Sequence, residues 1–78
     1  MKLSYSSVAA FVAHYQILKR AADLTDEERE RLAQMEKLLE SIAPGDREAI
    51  ESGGAGRRYE RALRDLNQLL KQHGVLAG

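Results

Sequence analysis

Hydrophobic side chains recur at helical spacing in three long segments and one short segment of this chain. Apolar residues repeated every three or four positions lie on one face of an α-helix, because a helix turns by about 100° per residue. This pattern predicts helices at about 6–22, 26–43, 46–52 and 56–73. The expected fold is all-α, a small up-down helical bundle of three long helices and one short helix, in a single domain spanning residues 1–78.

The first predicted helix is apolar on two sides. After a serine cap at Ser4 or Ser6, its core stripe is Val8, Phe11, Val12, Tyr15, Leu18 and Ala22. The opposite side is uncharged as well, and it consists of Ala10, Ala13, Ile17 and Ala21. A surface helix in a small bundle normally buries only one face. The second face therefore needs a cover.

Two alternatives for that cover stay open at this point. In the first, the short third helix or the C-terminal Val75 and Leu76 pack on the second face within the same chain. In the second, another copy of the chain packs there: the three alanines permit close approach of two backbones, and Ile17 is the central anchor of a symmetric pair. The second alternative makes these four residues a candidate self-association face.

The boundaries of the other helices carry recognisable signals. Thr25 and Glu28 have the S/T-x-x-E spacing of a capping box, and Pro44 is expected to end the second helix. Asp46 is the expected cap of the short helix, and Gly74 is expected to close the last helix in a left-handed conformation. The predicted core stripe of the last helix is Tyr59, Ala62, Leu63, Leu66, Leu69, Leu70 and His73.

Charge is unevenly distributed along a chain whose net charge is zero. Residues 1–22 carry three basic side chains and no acidic ones, residues 23–55 carry ten acidic and four basic ones, and residues 56–78 carry five basic and two acidic ones. Two interpretations stay open. The helices of one bundle attract each other, or a basic end of the chain contacts an anionic partner.

The last predicted helix aligns four cations on the face opposite its core stripe. These residues are Arg57, Arg61, Arg64 and Lys71. Such a face suits a nucleic-acid backbone or an acidic protein surface, and it is equally typical of a solvated helix. The spacings of Glu60 to Arg64 and of Arg61 to Asp65 allow ion pairs within the helix, which would neutralise part of the charge.

The run from Arg57 to Leu66 resembles the final helix of some bacterial helix-turn-helix domains, notably the last region of sigma factors. The likeness covers about ten residues and implies a recognition helix. In those domains another helix precedes the recognition helix across a short turn. Here the preceding segment is the short stretch 46–51, followed by a glycine-rich break, so the chain is not assigned to that family.

The sequence lacks the residues that metal sites, phosphate loops and dinucleotide sites require. The chain has no cysteine, and its two histidines, His14 and His73, lie on different predicted helices without metal-ligand spacing. The glycines at 53–56 lack the Gly-Lys-Ser/Thr ending of a phosphate loop and the preceding strand of a dinucleotide fingerprint. We therefore expect no metal, no cofactor, no small-molecule substrate, no catalytic residue and no enzymatic activity.

The sequence supports two hypotheses about function. The leading hypothesis is a non-catalytic interaction or regulatory module that forms a homodimer or binds a protein partner. The alternative is a nucleic-acid-binding transcriptional regulator that uses the basic face of the last helix. No stretch approaches the roughly 18 apolar residues that a membrane span requires, so a cytoplasmic, bacterial-type protein is expected by elimination.

Overall fold

A computed structural model describes residues 3–53 and 55–77 of the chain. Within these residues there are four helices and no β-strand, which confirms the predicted all-α bundle. The helices are α1 (Val8–Arg20), α2 (Asp26–Leu39), α3 (Pro44–Ser52) and α4 (Arg57–Gln72). Helix α3 packs mainly on α4, and α1 contacts both α2 and α4, within a radius of gyration of 11.9 Å.

Helix α1 begins later than the sequence predicted. Its N-cap is Ser7, and neither Ser4 nor Ser6 takes this role: the Ser7 hydroxyl accepts a hydrogen bond of 3.2 Å from the Ala10 amide. The physical reason is that Tyr5 is held in an extended conformation by the C-terminus, so the helix starts only beyond it. Ser4 and Ser6 are both suitable cap residues, but the pairing of Tyr5 with the C-terminal segment keeps the chain extended there, so neither caps the helix.

The same helix also ends earlier than predicted, at Arg20. Ala21 leaves the helix with an extended backbone (φ −68°, ψ 134°) and serves as its C-cap. Ala22, which was predicted to belong to the buried stripe, is therefore exposed in the connection to α2. No signal in the sequence marks this end, because Ala21 and Ala22 are strong helix formers that favour continuation of the helix.

Helix α2 begins as predicted and ends before the predicted position. The hydroxyl of Thr25 accepts a hydrogen bond of 3.1 Å from the Glu28 amide, and the Glu28 carboxylate accepts one of 3.0 Å from the Thr25 amide, which confirms the capping box. The helix ends at Leu39, four residues before the predicted end at Ala43. Tight backbone turns then lead the chain into α3.

Pro44 starts α3 and does not directly end α2, contrary to the prediction. It is the first residue of the helix, with Ala43 as the N-cap. Proline suits this position because the first amides of a helix have no intrahelical partner. Asp46, the predicted cap, lies within the first turn and makes no capping bond. At the other end the helix closes after Ser52 with Gly53 as its C-cap, in the left-handed conformation (φ 65°).

The C-terminus of α4 is closed as predicted. Gly74 is left-handed (φ 68°) and donates a hydrogen bond of 3.1 Å to the carbonyl of Lys71. Val75 donates one of 2.9 Å to the carbonyl of Leu70. These two bonds form a Schellman motif, and the buried Val75 side chain supplies the apolar contact that accompanies it.

One hydrophobic cluster forms the core, and all four helices contribute to it. Its buried members are Leu3, Phe11, Val12, Tyr15, Leu18, Met35, Leu39, Ile50, Ala62, Leu66, Leu70 and Val75. The predicted stripe of α1 is buried at four positions, from Phe11 to Leu18, and that of α4 at three, from Ala62 to Leu70. The larger-residue face of α1 is therefore the one that packs into the bundle.

The two ends of the chain pair with each other, which no sequence pattern indicated. The Tyr5 amide donates a hydrogen bond of 2.8 Å to the Val75 carbonyl, and the Ala77 amide donates one of 2.8 Å to the Tyr5 carbonyl. These bonds form a parallel bridge between Tyr5 and Leu76, and Leu3 is buried beside it. This terminal bridge places the C-terminal segment against the N-terminal one.

Candidate functional site

The second apolar side of α1 is open on the surface of the bundle. Ala13, Ile17 and Ala21 are exposed, and Ala10 is half-buried. Ile17 is 65% exposed and is the only large apolar side chain among the described residues that is exposed. We call this set the α1 outer face: Ala10, Ala13, Ile17 and Ala21.

Neither expected cover within the chain lies on the α1 outer face. Helix α3 meets α1 along one edge, where the Gln16 side chain donates a hydrogen bond of 3.1 Å to the Ile50 carbonyl. Val75 is buried in the core, and Leu76 is paired with Tyr5. The alternative in which the short helix or the C-terminus buries Ile17 is therefore wrong.

Contacts outside the α1 outer face hold the helix in place. On one flank, the Tyr5 hydroxyl and His14 Nδ1 are 2.7 Å apart, and the Tyr5 ring packs edge-on against Phe11 with ring centroids 5.3 Å apart. Lys19 pairs with Glu36 of α2 at 3.6 Å. The face is thus presented by a helix fixed to the N-terminal segment, α2 and α3.

A buried tyrosine links α1 to α3 beneath the open face. The ring of Tyr15 is fully buried, and its hydroxyl donates a hydrogen bond of 3.0 Å to Glu51, which also accepts one of 3.2 Å from Arg47. Burial raises the pKa of Tyr15 to about 12, and the bond to Glu51 adds to the rise. Burial opposes ionisation of Glu51, yet the bonds from Tyr15 and Arg47 outweigh it and lower the pKa of that carboxyl.

The second candidate surface lies on α4, where all four predicted cations are exposed. We call it the α4 basic stripe: Arg57, Arg61, Arg64 and Lys71. The predicted pairs of Glu60 with Arg64 and of Arg61 with Asp65 are not formed within 4.0 Å. These two ion pairs therefore do not neutralise the stripe, and an acidic group that acts on Arg61 is Asp46 of α3.

Helix α3 lies against the inner side of α4, close to the basic stripe. A hydrogen bond to Asp65 and burial raise the pKa of Asp46, while the charges of Arg61 and Arg58 lower it. Arg58 extends over Gly45 in α3, so close that a Cβ at that glycine would lie 2.7 Å from its guanidinium. With nine residues, α3 is also a longer partner for α4 than the sequence indicated.

The grooves formed by the described residues are open to solvent. One of them, of about 710 Å³, lies between the terminal bridge and the end of α2, and it is lined by Leu3, Gln34, Lys37, Leu38, Glu40, Ser41, His73 and Val75. His73 is exposed here, contrary to its predicted place in the core stripe, because the Schellman turn follows it directly. No group of three potential metal ligands occurs among residues 3–53 and 55–77.

In comparisons with known proteins, no protein family, curated protein or solved structure matches this chain. None of the described helices has both the length and the apolar character needed to cross a lipid bilayer. The functional argument therefore rests on the two surfaces that the chain itself presents, the α1 outer face and the α4 basic stripe.

Proposed function

We propose that this chain is a non-catalytic interaction module that self-associates through the α1 outer face. The observation that carries the proposal is Ile17, a large apolar side chain left 65% exposed on a helix whose other large apolar residues are buried or, for Val8, half-buried. Isolated apolar residues are common on protein surfaces. Ile17 differs from them because Ala13 and Ala21, four residues before and after it, leave room for another helix to approach along a strip that His14 and Arg20 border.

A second copy of α1 complements this face in shape. In an antiparallel pair whose two-fold axis passes midway between Ala13 and Ile17, each Ile17 lies over Ala13 of the other copy. Such an isologous contact occurs twice, since the same patch is used on both sides. Large residues then meet small ones at both positions, as ridges-into-grooves packing requires.

Charge favours the antiparallel arrangement over the parallel one. Lys19 and Arg20 lie at the C-terminal end of α1, and the helix has no acidic residue in its first turn. Parallel pairing places the two copies of these cations side by side, whereas antiparallel pairing separates them along the helix axis by about 12–15 Å at 1.5 Å per residue. It also brings the opposite ends of the two helix dipoles together.

The size of the face sets the strength of the association. Helix α1 has 13 residues and is therefore about 20 Å long. One short helix buries less than the roughly 800 Å² per partner of a standard stable interface. We expect a reversible dimer in rapid exchange with monomer, in keeping with a regulatory module that responds to its own concentration.

The test is analytical ultracentrifugation of the full chain from about 10 µM to about 500 µM, a range that covers micromolar to submillimolar dissociation constants. Wild type is expected to show an average mass that rises towards that of a dimer. Ile17→Glu is expected to remain monomeric with its unfolding free energy changed by no more than about 0.5 kcal/mol, because the side chain is exposed. The control is Ala33→Glu, which adds the same charge to an exposed position on α2.

A size swap tests the identity of the partner. Ala13→Ile is expected to weaken the dimer, because two isoleucines then face each other across the two-fold axis. Adding Ile17→Ala to that variant restores the large-against-small contact and is expected to restore dimerisation. A wild-type chain that stays monomeric throughout the range, together with an unchanged stability of Ile17→Glu, contradicts self-association.

A further inference from the structure

The N-terminus of α4 lacks the side-chain cap and the acidic first residues that stabilise the N-terminus of α2. Helix α2 has three acidic residues in its first turn and a complete capping box. Helix α4 begins with Arg57 and Arg58, and its N-cap, Gly56, provides no side chain to its free amides. Cations at a helix N-terminus are repelled by the helix dipole. Arg58 has a role in the fold, since it lies over Gly45 and its charge acts on Asp46. Arg57 has no carboxylate within 4.0 Å among the described residues to offset the cost, and such a cost in stability points to a function.

The α4 basic stripe extends this charge along the whole helix. Its four cations follow the spacing i, i+4, i+7 and i+14, with the neutral Gln68 at i+11, so they lie on one side of α4. The stripe is about 21 Å long at 1.5 Å per residue. None of its cations has a carboxylate within 4.0 Å among the described residues, although Glu60 flanks it.

We propose that the α4 basic stripe binds double-stranded DNA, with α4 lying in the major groove. Phosphate at the N-terminal end of α4 satisfies its free amides and removes the conflict between the dipole and Arg57. Three of the four cations are arginines, whose planar guanidinium makes paired hydrogen bonds to phosphate or to guanine edges. The length of the stripe corresponds to about six base pairs at 3.4 Å each.

The shape of a helix favours DNA over duplex RNA as the partner. The charge of the chain favours attraction at short range over long-range steering. The major groove of DNA admits an α-helix, whereas that of an RNA duplex is too deep and narrow for side chains to read. Because the net charge of the chain is zero, attraction comes from the stripe itself and not from the whole protein. Binding is therefore steeply sensitive to salt.

This inference goes beyond self-association, and the two surfaces share no residue. Loss of dimerisation in Ile17→Glu leaves the stripe intact, and charge reversal on the stripe leaves the α1 outer face intact. The failure of one idea is therefore distinguishable from the failure of the other.

The test is fluorescence anisotropy of a mixed-sequence DNA duplex of about 20 base pairs, long enough for several turns of contact, titrated with the full chain over a salt series. Four phosphate contacts predict that log affinity falls against log salt with a slope of about −3 to −4. Arg57→Glu combined with Arg64→Glu is expected to lower the affinity at least about tenfold more than the control and to reduce the slope by about 2.

The control combines Arg29→Glu with Lys37→Glu, two exposed cations of α2 that lie outside both the stripe and the α1 outer face, so both double variants have the same net charge. A further readout separates binding from folding: Arg57→Glu alone is expected to raise the melting temperature, because an acid in the first turn suits the dipole. A gain in stability joined to a loss of affinity supports the proposal.

Three results overturn it. The first is no binding of wild type at about 50 mM salt, where phosphate contacts are strong. The second is an equal loss of affinity in the stripe variant and in the control. The third is binding of polyglutamate as tightly as of the duplex, which assigns the stripe to an acidic protein surface.

Discussion

Replacing Tyr15 with phenylalanine is expected to lower the unfolding free energy by about 1–2 kcal/mol near neutral pH. Its ring is fully buried, so phenylalanine preserves the packing and removes only the hydroxyl that donates to Glu51 at 3.0 Å. A hydrogen bond to a charged group contributes about 1.5–3 kcal/mol. The lower value applies here because the Glu51 side chain is 38% exposed and keeps its bond to Arg47.

The same substitution is expected to remove a pH dependence in the alkaline range. Burial and Glu51 raise the pKa of Tyr15 from 10.0 to about 12 in the folded chain. Between these pH values the unfolded state has released the proton and the folded state retains it, so stability is complete below about pH 10 and is lost as the pH rises towards 12. The rise in pKa corresponds to at most about 2.7 kcal/mol, reduced by solvent screening at Glu51.

Urea unfolding followed by circular dichroism, at several values between about pH 7 and pH 11.5, measures both effects. Burial also raises the pKa of Tyr5, although Arg31 opposes it, so Tyr15→Phe retains part of the alkaline slope. The difference between wild type and variant isolates Tyr15 and is expected to shrink above pH 10. A difference that stays constant from pH 8 to pH 11.5, or that is zero at pH 8, refutes this reasoning.

Two further substitutions test the backbone. Gly53→Ala is expected to lower the unfolding free energy by about 1–2 kcal/mol, because φ is +65° and the new methyl group would lie 3.2 Å from Gln16 Nε2. The control is Gly45→Ala, where the backbone is helical and the neighbouring group is the flexible end of an arginine. This control is expected to change the unfolding free energy in urea by no more than about 0.5 kcal/mol. Ala77→Pro removes the amide that donates to the Tyr5 carbonyl, and it is expected to cost about 1 kcal/mol and to speed hydrogen exchange at the Tyr5 amide. Unchanged protection of Tyr5 would show that the terminal bridge contributes no stability.

Local signals predicted the features of this fold that depend on neighbouring residues. The apolar stripe of α1 is buried at Phe11 and Tyr15 as expected, because helical periodicity fixes which side chains share a face. Thr25 and Gly74 act as predicted, since capping needs only residues within one turn. The four exposed cations of α4 were also predictable, as they lie opposite its core stripe.

The sequence was a poorer guide wherever distant segments meet. The bond between Tyr15 and Glu51 joins residues 36 positions apart, and no spacing rule connects them. The expected ion pair of Glu60 with Arg64 satisfied its spacing rule and is still not formed. Exposed pairs of this kind are worth little, so spacing alone does not bring the two side chains together.

The terminal bridge explains why the α1 outer face is open. The C-terminal segment was one of two candidates within the chain for covering Ile17, and its apolar residues are used elsewhere: Val75 completes the Schellman motif and the core, and Leu76 pairs with Tyr5. The other candidate, α3, is held against α4 and reaches α1 only at one edge, through Gln16 and Tyr15. Both candidates are thus committed by specific hydrogen bonds and by burial. Ile17 is left 65% exposed, and this is the physical basis for the proposal that a second copy of the chain covers it.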